Sequence, residues 1–351
     1  MVNPDDVVSK ARALVERRRL VASRERLVVG VSGGADSVCL LDVLRRLVSN
    51  GSNRLLVVHV DHQIRPDSST DAQFVRELVG DVGLDCHVAQ VDAPGYARTH
   101  GVGLEHAGRA LRYQRLAAAA GGYGARAVAV GHTEDDSSES LLMHLLRGAG
   151  VDGLRGIAAI ERFELRSLGP VVDDDVPPAI RIIRPLLDIR RAETRAYCLA
   201  RGLPFRDDPT NDDPALLRNR VRRHLLPVLR TYNPAIDGAL RRTADLLRED
   251  GEWLDALVDR RRARLVHAVP DAVDLELRAW RRQPRAAQRR LVRRAAAELG
   301  VPGDQLGFDG VERALAFAAA DRPARMQLAG RLVMTRIGDR VRMRRGRGGE
   351  A

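Results

Sequence analysis

Along the first half of the chain, short unbroken apolar runs alternate with segments whose apolar residues recur every three or four positions. Leu27–Val31 (LVVGV) has the pattern of a buried strand, Asp36–Leu47 of a helix and Leu55–Val60 (LLVVHV) of a second strand. Thr70–Val82 has helical spacing, Cys86–Val91 is extended, Leu104–Ala120 is helical, Ala127–Val130 is a short strand and Asp136–Leu146 a helix. Strands that are apolar throughout, each followed by a helix, predict an α/β domain whose parallel sheet is covered on both faces. The rhythm breaks at 161–180 (ERFELRSLGPVVDDDVPPAI), where Gly, Pro and three consecutive aspartates predict an exposed loop. Arg181–Leu187 is strand-like again, Ala192–Arg201 is helical, and Asp207–Pro214 (DDPTNDDP) is rich in turn formers. Helices are predicted from there to about residue 320. Alternation through Gln327–Met343, centred on Ile337-Gly338-Asp339, then predicts a terminal hairpin, with a disordered tail from about residue 344. Two domains result, residues 1–215 and a mainly helical 216–351.

Charge sharpens this division. The 351 residues carry 58 Lys+Arg against 47 Asp+Glu, a net charge of +11, and Lys10 is the only lysine. Residues 1–150 hold 18 basic and 18 acidic residues, so the whole excess belongs to 151–351. A neutral front half and a basic back half fit a polyanionic partner for the latter. Arg-rich stretches such as Arg278–Arg294 could equally be solvated helix faces. Aromatics make up only 3%, so base stacking is not the main basis of any nucleic-acid surface. No apolar run is long enough to span a membrane, and the N-terminal residues lack the pattern of a secretory signal. Cys39, Cys86 and Cys198 are too widely spaced for a disulfide framework or a thiolate zinc site, and a cytoplasmic location is the expectation.

The strongest chemical signal is Val31-Ser32-Gly33-Gly34-Ala35-Asp36-Ser37, at a strand-to-helix junction. Glycines there let the backbone approach a ligand, and the free N–H groups of a helix start hold an anion. Ser32 and Ser37 add hydroxyls, and Asp36 can bind Mg²⁺ or cap the helix. Neither a Walker A loop nor a dinucleotide fingerprint is present. A second segment, Gly131-His132-Thr133-Glu134-Asp135-Asp136-Ser137-Ser138-Glu139-Ser140, also follows a strand and opens a helix, at the sheet edge where such folds bind ligands. Asp136 and Glu139 are three apart and share a helix face, where they can ligate a metal or clamp an ammonium group.

The first loop resembles the PP-loop, Ser-Gly-Gly-x-Asp-Ser, of the N-type ATP pyrophosphatases, which split ATP between its α- and β-phosphates. Several further features together resemble the tRNA(Ile)-lysidine synthetase family over about residues 24–235. They are His59-Val60-Asp61-His62, Glu105 through Arg109 to Arg112-Tyr113, Arg147-Gly148, Arg184-Pro185-Leu186-Leu187, Asp208-Pro209-Thr210-Asn211, Arg218-Asn219 and Arg222. The resemblance implies a Rossmann-like, adenine nucleotide alpha hydrolase-like N-terminal domain and a mostly helical C-terminal domain ending in a hairpin. It implies an enzyme that ligates L-lysine to the wobble cytidine of a tRNA(Ile) with a CAU anticodon, using ATP and Mg²⁺. Carried onto this sequence, Ser32, Gly33, Gly34, Ala35, Asp36 and Ser37 would bind ATP, with Asp36 near Mg²⁺ and His132 beside the nucleotide. Arg112, Asp136 and Glu139 would bind lysine, with Asp136 and Asp36 in catalysis. Arg218, Arg222 and Arg223 form the basic patch expected to meet tRNA. Thr133, Ser137 and Ser140 depart from the family's His, Gln and Thr. No membrane partner is expected, and the oligomeric state is open, with a homodimer as the assembly to test. Two other readings remain: a tRNA thiolase of the same fold, for which paired cysteines are missing, and a non-catalytic nucleotide- and RNA-binding protein.

Other residues have plainer roles. His59 and His62 are expected to make hydrogen bonds at a strand end rather than bind a metal. Asp207, Asp208, Asp212 and Asp213 are expected in turns, and Trp253 and Trp280 in the core.

Overall fold

A computed structural model describes residues 3–48, 54–63, 68–173, 176–207, 216–262, 264–301, 305–322 and 324–346. The chain divides into two compact units, one made of Met1–Leu165 with Asp173–Arg248 and the other of Arg166–Val172 with Glu249–Ala351. The change of unit thus falls inside a helix at 248/249, where the sequence pattern had placed it in the turn-rich segment ending at 215. Arg218, Arg222 and Arg223 consequently belong to the first unit.

The first unit opens with α1 (Pro4–Arg18), then runs β1 (Leu27–Gly30), α2 (Ala35–Leu47), β2 (Leu55–Asp61), α3 (Ser68–Gly80) and β3 (Asp85–Gln90). It continues with α4 (Ala93–His100), α5 (Leu104–Tyr123), β4 (Ala127–Ala129), α6 (Glu134–Leu146), α7 (Val151–Leu154), β5 (Ile160–Glu164), β6 (Ala179–Ile183) and α8 (Arg191–Ala200). After residues 208–215, which lie outside the described residues, come α9 (Leu217–Arg220), a π-helical turn (Val221–Leu225), α10 (Leu226–Tyr232) and the long α11 (Ile236–Arg262). The sheet order is β3-β2-β1-β4-β6-β5, parallel except for β5, which pairs antiparallel with β6. Strand order reverses between β1 and β4, which places a ligand crevice at their carboxyl ends. Val28 and Val29, with Val57, Ala127, Ala129 and Ile183 on neighbouring strands, are fully buried, as strands covered on both faces require.

The predicted loop over 161–180 is corrected by this sheet. Ile160–Glu164 forms the edge strand β5, and Phe163 and Leu165 are buried. Its Arg and Glu residues alternate with Phe163 because an antiparallel edge strand faces solvent on one side, which removes the apolar run by which the other strands were recognised.

The second unit contains β7 (Val266–Val269), β8 (Ala272–Glu276), α12 (Leu277–Arg281), α13 (Arg285–Glu298), α14 (Phe308–Ala319), β9 (Arg325–Gln327), β10 (Leu332–Ile337) and β11 (Arg340–Arg345). Its antiparallel sheet has the order β7-β8-β11-β10-β9. The terminal hairpin forms as predicted, with Ile337 opposite Arg340 across Gly338-Asp339. Arg344 and Arg345 belong to β11, so the described strand continues past the point where the sequence predicted a disordered tail. Trp280 is buried in this unit's core, whereas Trp253 is 65% exposed on α11, contrary to the expectation that both are core residues. Helical spacing alone does not say which face of a long helix is covered.

Candidate active site

The first loop lies at the strand-to-helix junction where the sequence predicts it. The N–H groups of Ser32 and Gly33 converge on one oxygen, Ser37 Oγ, each at 3.2 Å, while that hydroxyl donates to Gly34 O at 2.8 Å. Two backbone donors thus close on an internal hydroxyl at the start of α2, the geometry of a loop able to cradle an anion. Gly33 has φ +92°, and a Cβ there would lie 3.3 Å from Phe74 of α3. His59, at the end of β2, is buried and bonds Val31 O through Nδ1 at 2.9 Å, tying the strand to the loop. This is the strand-end role expected of it.

The loop after β4 packs directly against the first. A Cβ on Gly131 would sit 3.0 Å from Asp36 O and 3.1 Å from Asp36 C, so only glycine permits this approach of backbone to backbone. Gly131→Ala is expected to cost about 1–3 kcal/mol through overpacking, read as a lower midpoint in chemical denaturation with an unchanged slope.

At the start of α6, Asp136 Oδ2 accepts from Thr133 N at 2.8 Å and from Thr133 Oγ1 at 2.9 Å. Thr133, one of the departures from the family pattern, thus fixes the Asp136 carboxylate. Asp136 and Glu139 do share a face, and a guanidinium joins them. Arg191, the first residue of α8, places Nη2 3.0 Å from Asp136 Oδ1, Nη1 3.0 Å from Glu139 Oε1 and Nε 3.3 Å from Asp36 Oδ2. Its backbone N–H donates to Asp135 at 2.8 Å, and the Thr194 hydroxyl donates to Asp36. One cation therefore organises all three carboxylates that the sequence nominated.

Glu139 is wholly buried and is gripped a second time. Arg222, on the π-helical turn, makes a fork to it with Nε–Oε1 at 2.7 Å and Nη2–Oε2 at 3.1 Å, and Arg218 Nε lies 3.7 Å from Oε2. Arg218 and Arg222 therefore face the carboxylates instead of forming a separate basic surface; Arg223 on the same turn is exposed. Opposite charge explains the departure: a buried Glu139 is tolerable only with cations around it. Arg112 does not join this group. It lies on α5 with its guanidinium over the Tyr113 ring.

The electrostatics follow from burial and these partners. Desolvation raises Asp36 to about 6 despite Thr194 and Arg191. Burial also works against ionised Asp136, but Arg191 and the Thr133 N–H hold it below the ordinary range. His132 is pushed down to about 3 by burial, with Arg184, Arg112 and Arg109 also opposing its charge. A neutral His132 accepts at Nδ1 from Arg184 Nε (3.0 Å), so its proton resides on Nε2. Arg184 also binds Ala158 O at 2.7 Å and Glu161 at 2.9 Å.

Arg191 and Thr194 escaped the sequence reading although a signal existed. Arg190-Arg191 opens a helix, where the dipole disfavours cations, so a strong anionic partner was implied. Asp208-Pro209-Thr210-Asn211, Asp212 and Asp213 lie outside the described residues. Among the described residues no set of three or more His, Cys, Asp and Glu has the arrangement of a metal site. No described helix is long and apolar enough to cross a membrane.

A family described as PP-loop domain matches residues 5–229. A tRNA(Ile)-lysidine synthase of Thermosynechococcus vestitus is 39% identical over 76% of this chain and 71% of its own length. Another from Geobacter sulfurreducens is 36% identical over 95% of this chain and 68% of its own. A third, from Dehalococcoides mccartyi, is 36% identical over 81% of this chain, which spans 59% of that relative's length. Among solved structures, the U34-tRNA thiolase NcsA of Methanococcus maripaludis aligns with TM-score 0.54 and 17% identity over 70% of this chain and 79% of its own, a likeness of fold. With the loop, the crevice and the carboxylate set in place, the chain belongs to the PP-loop family and, within it, to the tRNA(Ile)-lysidine synthases.

Proposed function

We propose that the protein ligates L-lysine to the wobble cytidine of a tRNA(Ile) bearing a CAU anticodon, at the expense of ATP, through an adenylated cytidine. The observation that carries this reading is the convergence of Asp36, Asp136 and Glu139 on one cationic group beside the anion cradle of Ser32 and Gly33. An ATP-dependent amine transfer needs both an oxyanion cradle and a cation-binding carboxylate set.

In this reading the Ser32–Ser37 loop holds the phosphates that leave as pyrophosphate. The C2 oxygen of the cytidine attacks the α-phosphorus, and the bond to the β-phosphate oxygen breaks. The lysine ε-amine then attacks C2 and AMP departs. Asp136 and Glu139 orient the ammonium group, and Asp136 accepts its proton, since only the free amine is nucleophilic. His132, with its proton on Nε2, can donate to the nucleotide. Asp36, the carboxylate at the start of the cradle, is the residue that would hold Mg²⁺. Mg²⁺ supplies neutralisation of the charge developing on the phosphates.

The basic second unit is the proposed tRNA-binding element. Residues 249–351 contain 22 arginines against 15 acidic residues. Part of that charge is engaged within the unit, because Arg285 and Arg289 pair with Glu312, and Arg290 with Asp255. The thiolase alternative is disfavoured by the thiols themselves: Cys39 and Cys198 are buried and their pKa values raised, that of Cys198 to about 12. Nothing in the comparisons supports the homodimer.

Radiolabelled lysine, ATP, Mg²⁺ and a tRNA transcript with a CAU anticodon should together give labelled RNA. A transcript with a GAU anticodon should not. No incorporation by folded protein would defeat the ligase reading.

A further inference from the structure

The backbone just after α8 runs beside the Ser32–Ser37 loop. Arg206 N–H donates to Gly33 O at 3.0 Å, and a Cβ built on Gly34 would come 3.8 Å from Arg206 O. The side chain of Arg206 goes to α3. Its Nη1 bonds Thr70 Oγ1 at 3.0 Å and Asp71 Oδ1 at 2.8 Å, and its guanidinium lies over the Phe74 ring at 5.0 Å. Phe74 in turn backs Gly33, the residue of the loop with positive φ. α8 also holds this segment: Arg195 lies over the Phe205 ring at 4.8 Å and makes a fork to Asp207, at 2.6 and 3.1 Å.

The carbonyl of Gly33 and the N–H of Gly34 belong to one planar trans unit and point in opposite directions. Tying the carbonyl to Arg206 therefore turns the Gly34 N–H away from Arg206 and fixes it. Among the described residues that N–H meets no acceptor, so it is free for an anion at the start of α2. Glycine has the widest choice of backbone conformations of any residue, and an unrestrained Gly33–Gly34 peptide would rotate and lose the donor. A restraint from outside the loop removes that freedom before a ligand arrives, which strengthens binding by lowering the ordering cost.

We propose that Arg206 is a positioning residue for the reaction: its backbone N–H holds the Gly33 carbonyl, and its side chain, clamped to α3, keeps that backbone in place, so that the Gly34 N–H stays presented to a phosphate oxygen of ATP. This rests on the reading of the Ser32–Ser37 loop as the seat of the departing pyrophosphate. Arg206 itself touches no phosphate in this scheme, because its guanidinium is engaged by Thr70, Asp71 and Phe74. The residue that shares its task is Asp71, in the first turn of α3.

Wild-type protein, Arg206→Met, Asp71→Ala and the double variant are compared by calorimetry with ATP, pyrophosphate, AMP and lysine, and by chemical denaturation. Arg206→Gln takes the place of Arg206→Met if the latter fails to fold. Arg206→Met and Asp71→Ala should each weaken ATP and pyrophosphate about tenfold. AMP, lysine and the denaturation midpoint should stay near wild type, because the pair is partly exposed. The double variant should lose no more than either single one, since both cut the same tether. Wild-type pyrophosphate affinity in both single variants overturns the positioning role and leaves the cradle reading intact. So does a loss in only one of them; confined to Arg206→Met, it puts the guanidinium itself on the phosphate. An equal loss for all four ligands overturns it as well. Wild-type protein that binds neither ATP nor pyrophosphate defeats the cradle reading, and the positioning role with it.

Discussion

Arg191→Met should lower the stability of the folded protein by about 3 kcal/mol or more at pH 8, because it leaves three carboxylates without the cation that joins them. Arg191 bonds Asp36, Asp136 and Glu139 at once, and for one oxygen each of Asp36 and Asp136 it is the partner shown. Glu139 keeps its fork from Arg222, which prevents a larger loss. The sign of the pH dependence follows from the shifts. Asp136 is held below its ordinary pKa in the native protein, so its contribution is present above the unfolded value and is lost only as pH falls through the lower native one. Asp36 has the opposite sign. Raised to about 6, its contribution is present below its unfolded value and is lost as pH rises to 6. Removing Arg191 drives both carboxyls upward, so the destabilisation should shrink as pH falls from 8 towards 5. Chemical denaturation at the two pH values, with Arg191→Lys as the charge-retaining control, measures this. An equal destabilisation at pH 8 and pH 5 would contradict the assignment of Arg191 as the counter-ion of the carboxylates.

The second large effect concerns chemistry. Asp136→Asn should reduce lysine incorporation about a hundredfold or more, within the range for removing a positioned proton acceptor. The Thr133 N–H and hydroxyl hold one oxygen of Asp136 and leave the other directed at the cationic position. An amide retains the shape and forfeits the proton affinity. Adenylation of the tRNA should survive better than lysine transfer, since the Ser32–Ser37 cradle is untouched. Steady-state incorporation and a single-turnover assay of AMP transfer to RNA separate the two steps. Near wild-type lysine transfer in the variant would remove Asp136 from the role of base.

The sequence showed the parallel sheet and both site loops because each strand there is buried on two faces and each loop carries dense polar chemistry at a strand-to-helix junction. Ser32 through Ser37, Asp136 and Glu139 all stand where the pattern put them. Three things were harder to see. The edge strand Ile160–Glu164 has an exposed face, so its hydrophobicity is diluted. The change of unit at 248/249 falls within α11, where a continuous helical pattern offers no composition break. Arg191 is 52 residues from Glu139 along the chain, and its partnership depends on α8 following β6 onto the same sheet edge. Arg218 and Arg222 looked like a nucleic-acid patch because charge counting does not reveal which way an arginine faces. The buried Glu139 redirects them.

In the proposed reaction one crevice first adenylates the cytidine and then delivers lysine to it. The most direct measurement is transfer of label from [α-³²P]ATP to a CAU-anticodon tRNA without lysine, followed by a lysine chase. Label should attach at the wobble cytidine and then be released as AMP when lysine is added, with lysine taking its place. Folded protein that leaves the RNA unlabelled, or whose labelled RNA is indifferent to lysine, would contradict it.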